Sequence, residues 1–260
     1  MKIYYCHLTL HDNVFYASRE MGILYETEKY LHNWALTYAF FKSIIIPDLY
    51  ASVGKKAQQA QYFDRQSEQS LLPLNDREIY IFPAQPVTWT YQINTFKAAQ
   101  ASYYGKSKQF GAKGANRNYP INFGRAKELA VGSQFSTFMI IPDDFNPDQL
   151  ASWIRVGKWL AKVKVERHPI PEKAISHHTG EYICEHPLNP LDLSSNQQLL
   201  LYNRIVMPPV SLISQAQLRG DYYQLKGNEL KSLTNKFPHL NKKINLPSGV
   251  NYGAGYTIEN

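Results

Sequence analysis

Lys2-Ile3-Tyr4-Tyr5-Cys6-His7-Leu8-Thr9-Leu10 sets Tyr4, Cys6, Leu8 and Leu10 on one side of an extended chain and Ile3, Tyr5, His7 and Thr9 on the other. This period of two predicts a β-strand. A helix is expected next. Thr27 is a suitable N-cap ahead of Glu28, and Leu31, Trp34, Ala35, Tyr38, Phe41 and Ile45 fall at helical spacing before Pro47 stops the run. A Gln- and Ser-rich surface excursion over 53–69 follows. Residues 79–82 suggest a short strand that Pro83 and Pro86 break, after which Val87, Trp89, Tyr91 and Ile93 alternate with Thr88, Thr90, Gln92 and Asn94 as a hairpin arm. Residues 128–141 and 154–165 read as two further strands joined by a helical turn over 147–152. In the last third, Pro187, Pro190, Pro208 and Pro209 interrupt short apolar runs, which predicts strands and turns without a second domain boundary. Strand, helix, strand, hairpin, strand, short helix, strand is compatible with an α+β, ferredoxin-like sheet carrying a large insertion.

The chain of 260 residues is long enough for one large domain, expected to span 1–260, and 44% hydrophobic residues exclude a disordered tail. A formal charge of +7 suits a polyanionic partner. Cys6 and Cys184 are the only cysteines, a usage expected of a reducing cytoplasm. The opening residues lack an apolar segment followed by a small-residue cleavage site, so no secretory signal is expected. No membrane span is expected either, because the most apolar helix, near 34–46, contains Lys42 and falls short of the ~20 residues that a bilayer requires.

Charge is distributed unevenly. Between Glu78 and Glu128 there is no carboxylate, yet Lys97, Lys106, Lys108, Lys113, Arg117, Arg125 and Lys127 lie there among Trp89, Tyr91, Phe96, Tyr103, Tyr104, Phe110 and Tyr119. Cations that neutralise phosphates and rings that stack on unpaired bases predict a nucleic-acid surface; a solvated basic loop is the alternative. The glycines and asparagines of 106–120 predict a loop that is disordered without a ligand. Arg155, Lys158, Trp159, Lys162 and Lys164 form a second basic set. Read as one strand, this set has mixed faces and fits either phosphate contacts or an edge that deters aggregation. The glycine-rich 249–255 is either a tail or a loop whose amides approach a phosphate.

Enzymatic signatures are sparse. There is no phosphate loop of the GxxxxGK type, no GxGxxG and no GxSxG. Neither cysteine has a CxxC partner, and the adjacent His177 and His178 point apart on any regular element, so no metal or other cofactor is expected. His7 and His11 share a strand face with Thr9 and could supply a general base for metal-independent RNA cleavage, or could be a polar pair at a strand end.

Several blocks carry a family likeness: Ile3-Tyr4-Tyr5-Cys6-His7-Leu8-Thr9-Leu10-His11-Asp12, Ala17-Ser18-Arg19-Glu20-Met21-Gly22, Tyr25-Glu26-Thr27-Glu28, Asn122-Phe123-Gly124-Arg125-Ala126-Lys127 and Ile154-Arg155-Val156-Gly157-Lys158-Trp159. Together they resemble the Cas-five subunit of type I-D CRISPR interference complexes over most of the first 165 residues. The resemblance implies a RAMP-type, RRM-like ferredoxin fold with an inserted β-hairpin thumb at about 87–127 and an irregular β-rich C-terminal part. It also implies a non-catalytic role: holding the 5' handle of a CRISPR RNA (crRNA) at one end of a Cascade, beside backbone subunits and the large subunit, near the protospacer-adjacent motif of target DNA. RNA contacts are expected from Lys97, Tyr103, Tyr104, Lys106, Lys108, Lys113, Arg117, Arg125, Lys127, Arg155, Lys158, Trp159 and Lys162. The alternative is a CRISPR RNA endoribonuclease using His7 or His11.

Overall fold

The computed structural model describes residues 1–41, 62–67, 69–97, 123–240 and 243–255. In chain order the elements are β1 (Lys2–Leu10), β2 (Arg19–Met21), β3 (Leu24–Glu26), α1 (Asn33–Phe41), α2 (Leu72–Asn75), β4 (Tyr80–Ile81), β5 (Gln85–Thr88), β6 (Tyr91–Lys97) and β7 (Phe123–Leu129). They continue with β8 (Gln134–Ile141), β9 (Trp153–Val156), β10 (Ala161–Pro169), β11 (Ile175–Cys184), β12 (Gln198–Ile205), β13 (Leu212–Lys226), α3 (Lys231–Lys236) and β14 (Lys243–Pro247). The fold is strand-rich with few helices.

Three sheets form. The first has the order β4-β8-β1-β10-β9, with β5 also beside β8. Its centre is β1, antiparallel to β8 and β10, and Ile3, Tyr5, Cys6 and Leu8 on it are fully buried, as a strand covered on both faces requires. The second is β11-β13-β12, with β14 on β13, and the third is β2-β3-β7-β6, in which β3 and β7 run parallel. One continuous core joins Tyr5, Leu8 and Phe138 of the first sheet to Tyr182, Leu218 and Leu246 of the second.

Four sequence expectations change. The helix begins at Asn33, because the Thr27 hydroxyl donates to the Tyr16 carbonyl (2.9 Å) and accepts from the Tyr16 amide instead of capping. Ala35 is exposed, while Trp34, Leu36, Tyr38, Phe40 and Phe41 are buried, so α1 is apolar almost all round and sits inside the core. Ile45, Pro47 and most of the 53–69 excursion lie outside the described residues. The alternating run from Val87 divides at Trp89 and Thr90, placing β5 in the first sheet and β6 in the third. Residues 128–141 divide likewise, between β7 and β8, at a turn where Gly132 has φ +83°.

The fourth change concerns 154–165, which forms a hairpin of β9 and β10 and not a single strand. Gly157 (φ 76°) and Leu160 (φ 53°) carry the reversal. A Cβ on Gly157 would stand 2.7 Å from the Phe15 carbonyl oxygen, so glycine is the residue that fits. The turn resolves the mixed faces: Ile154, Val156, Ala161, Val163 and Val165 are buried, and Trp153, Arg155, Lys162 and Lys164 point outward.

The C-terminal segment is a packing element rather than a phosphate loop. Gly253 donates its amide to Asp192 at 2.9 Å, and a Cβ there would meet the Phe63 ring at 2.7 Å. Tyr252 is buried against Tyr80, and its hydroxyl pairs with Thr37 and accepts from the Ile81 amide. Asp192 also accepts from Asn33, Trp34 and Tyr80, and burial raises its pKa from 3.8 to about 6. Three segments thereby converge on one buried carboxylate.

Candidate nucleic-acid interface

Phe15, in the loop after β1, is the junction of two groups of cations and rings. It packs with Tyr25 and Ala126 of the third sheet, and Trp159 of the β9–β10 turn stacks on it at 4.5 Å between centroids. The Lys158 amide donates to the Phe15 carbonyl (2.8 Å), and its ammonium lies 6.0 Å from the Phe15 ring. On the flank of the same hairpin, Lys162 sits over Trp153 at 4.3 Å, and His11 meets Trp153 edge-on at 4.8 Å. Trp153 is 42% exposed and Trp159 52%, unusual for rings that could be buried, so each has an open surface.

The second group stands on the third sheet, where β6 and β7 pair as a hairpin from Tyr91↔Leu129 to Lys97↔Phe123. Lys127 lies over Tyr91 at 4.3 Å and Lys29 over the exposed Trp89 at 4.8 Å. Arg125 points outward from β7. Lysine over a ring face is a cation–π contact that leaves the ammonium able to meet a phosphate.

The structure brings Arg125, Lys127, Arg155, Lys158, Trp159 and Lys162 onto the described surface. Lys97 is described only by its backbone, as the end of β6, and Tyr103, Tyr104, Lys106, Lys108, Lys113 and Arg117 lie outside the described residues. The absence of carboxylates along the chain does not hold in space. Parallel pairing of β3 with β7 puts Glu26 3.4 Å from Lys127, and Asp12 lies 3.7 Å from Arg155. Among the described residues, Arg125, Lys158 and Lys162 have no such carboxylate within ion-pair distance. Phe15, Lys29 and Trp153 were missed as candidates because each lies outside the basic run or acquires a partner only through the fold.

His7 and His11 do not share a site. β1 ends at Leu10, leaving His11 exposed beside Trp153, whereas His7 is 8% exposed under Phe237, 4.9 Å between ring centroids. Around His7 are His168, His239, Glu166 and Lys236. Burial first, then His239, lowers the His7 pKa; burial also lowers that of His168, aided by Lys236, and that of His239. Tyr5 and His239 share a 2.7 Å hydrogen bond in this cluster. His177 and His178 face opposite sides of β11, against Tyr223 and Tyr222 respectively. Cys6 and Cys184 are free and buried, and burial pushes both thiols up to about 12. Among the described residues there is no group of three or more His, Cys, Asp or Glu able to hold a metal ion, and no helix is long and apolar enough to cross a membrane.

The fold is strand-rich, with cations and exposed rings gathered beside Phe15. Over residues 1–255 the chain matches the family described as Type I-D CRISPR-associated protein Cas5/Csc1, and it belongs to that family. It is therefore a CRISPR effector subunit, and membership implies a ribonucleoprotein complex with crRNA. No curated protein matches it in sequence. Among solved structures it is similar to a chain of a Type III-B Cmr-beta complex, described as bound to cognate target RNA and AMPPnP, at 8% identity and a TM-score of 0.44, covering 83% of this chain and 86% of that one. A CRISPR protein from Archaeoglobus fulgidus is similar at 9% identity and a TM-score of 0.39, covering 86% and 95%. The family match alone carries the assignment.

Proposed function

We propose that this subunit holds the 5' handle of the crRNA without cutting it, capping one end of the backbone filament beside the large subunit and contacting target DNA near the protospacer-adjacent motif. The observation that carries this reading is the Phe15 junction, where Trp159 and Trp153 offer stacking surfaces and Lys158 and Lys162 offer unneutralised charge. Unpaired RNA is held by this combination, with cations on the backbone and rings on the bases. The β6–β7 hairpin would serve as the thumb, and the cations Lys106, Lys108, Lys113 and Arg117 fall in the sequence between its two strands. The first sheet supports a ferredoxin-like core, since α1 joins β1 to β4 and the order β4-β8-β1-β10 alternates as that fold does. Buried free thiols suit a reducing cytoplasm.

The non-catalytic reading draws support from His7, whose ring is nearly buried beneath Phe237 and so is poorly exposed to an RNA hydroxyl. Incubating the chain with labelled repeat-derived RNA and a scrambled control in EDTA tests both halves. Binding of the repeat RNA with no product on a denaturing gel is the expected result. Cleavage at one defined site, abolished by His7→Ala or His11→Ala, would instead establish the endoribonuclease.

A further inference from the structure

We infer that residues 228–240, in the excursion between β13 and β14, form a strap that lies closed on the first sheet at neutral pH and lifts when acid charges the three imidazoles at its seat. The excursion starts and ends at one place: Lys226, the last residue of β13, pairs with Lys243, the first of β14. Gly227 opens it at φ 110°, a backbone angle that glycine adopts readily. The strap can therefore lift while both strands stay in the second sheet. Little apolar surface holds it down. α3 buries no residue, and the buried apolar side chains of the strap are Leu230, Phe237 and Leu240.

Titratable groups gather where Phe237 sits. Its ring centroid lies 4.9 Å from that of Tyr5, 4.9 Å from His7 and 5.1 Å from His168. β1 and β10 pair Tyr5 with His168 and His7 with Glu166, so these four side chains share one face of the first sheet. From β8 this face receives Ser136 and Phe138, which carry no charge. The strap adds Lys236 and His239, the latter 2.7 Å from the Tyr5 hydroxyl. Glu166 is shared three ways, 3.2 Å from Lys236, 3.4 Å from Lys164 and 3.9 Å from His168. Lys236 is itself 3.5 Å from His168. Two lysines already exceed this one carboxylate, so each proton taken up by His7, His168 or His239 adds uncompensated positive charge. As an imidazolium, His7 would also carry an Nδ1–H with nothing to accept it, because that atom is buried without a partner.

Burial, the largest cause in each case, lowers all three histidines below their ordinary 6.5; His239 lowers His7 further, and Lys236 lowers His168. Lifting the strap returns water to them, so protons are taken up on opening and the closed state loses stability as pH falls through 6.5. Release would uncover Tyr5 and His7 on the sheet face that also carries Trp153.

Amide hydrogen exchange of the full chain at about pH 7.5 and 5.5, with rates corrected for the pH dependence of the chemical step, tests this. The Phe237 and Leu240 amides, bonded to the Leu233 and Phe237 carbonyls, report the strap, since so short a helix does not persist alone. Peptides from β8 and β13 report the sheets. Strap protection should fall about tenfold for each histidine that stays neutral while closed, with β8 and β13 unchanged. In a His168→Gln, His239→Gln double variant, at half-buried and exposed positions, the fall should shrink to the share of His7. Equal strap protection at the two pH values would overturn the inference, as would a parallel loss in β8 and β13 or an undiminished loss in the double variant. The wild-type comparison needs no substitution, so it decides the release even if the double variant misfolds.

Discussion

Trp159 lies on Phe15 with ring centroids 4.5 Å apart and an interplanar angle of 29°, which fastens the β9–β10 turn to the loop that follows β1. The contact covers one side of the indole, and the residue remains 52% exposed, so its free surface is held ready for a base. Trp159→Ala should weaken RNA binding by about 1–3 kcal/mol, the value of one stacked base. Trp159→Phe should recover part of it. Fluorescence anisotropy on labelled single-stranded RNA checks both, and affinity unchanged by Trp159→Ala would remove the indole from the interface.

Lys158 and Lys162 face rings rather than carboxylates. If both meet phosphates, Lys158→Ala with Lys162→Ala should reduce the slope of log affinity against log salt by about 1.4, at ~0.7 per phosphate neutralised on a single strand. Titrations at four or more salt concentrations give the slope directly, and a parallel line for the double variant would place these lysines off the RNA.

Lys127 is held differently, 3.4 Å from Glu26. Its loss should therefore cost less RNA affinity than loss of Arg125, and Glu26→Gln, which frees the ammonium, should strengthen binding. An Arg125→Ala variant that binds as wild type while Lys127→Ala does not would reverse this ranking.

These cases show where the sequence was legible. Period two marked β1 as a strand, but its continuous burial comes from its central place in the packed sheet and not from the alternation. The basic 154–165 run was legible as a charged set but not as a hairpin, since the positive φ of Leu160 and the close approach of Phe15 to Gly157 are tertiary facts. The carboxylate-free stretch misled for the same reason: parallel pairing with β3 imports Glu26 from a hundred residues away. His7 and His11 shared a face only so long as the strand was imagined to continue past Leu10.

Asp192 accepts hydrogen bonds from Asn33, Trp34, Tyr80 and Gly253, all inside the core. Asp192→Ala would strand these donors, with an expected loss of about 3–5 kcal/mol in denaturant unfolding. Its folded pKa of about 6 lies above the ordinary 3.8, so the folded state binds the proton more tightly, and this group's contribution to stability falls as pH rises from about 4 to 6. Asp192→Asn should remove that component from the stability–pH curve.

The histidines act in the opposite direction. His32 and His186 are lowered by burial from 6.5 to about 3, so the unfolded chain binds protons that the folded one refuses, and stability is lost as pH falls from 6.5 toward 3. At pH 5 two such groups outweigh the single gain at Asp192. The thermal midpoint should therefore be lower at pH 5 than at pH 7, and a higher midpoint at pH 5 would show that these rings are not buried neutral.

Where the guide RNA lies is tested most directly by photo-crosslinking. A crRNA carrying photoreactive nucleotides through its 5' handle would be assembled into the complete complex, irradiated, and the attached peptides of this subunit mapped by mass spectrometry. Crosslinks to the peptide containing Trp153, Lys158, Trp159 and Lys162 are predicted. Crosslinks confined to other surfaces, such as the outer edge of β12, or none to this subunit at all, would contradict the Phe15 junction as the RNA-holding site.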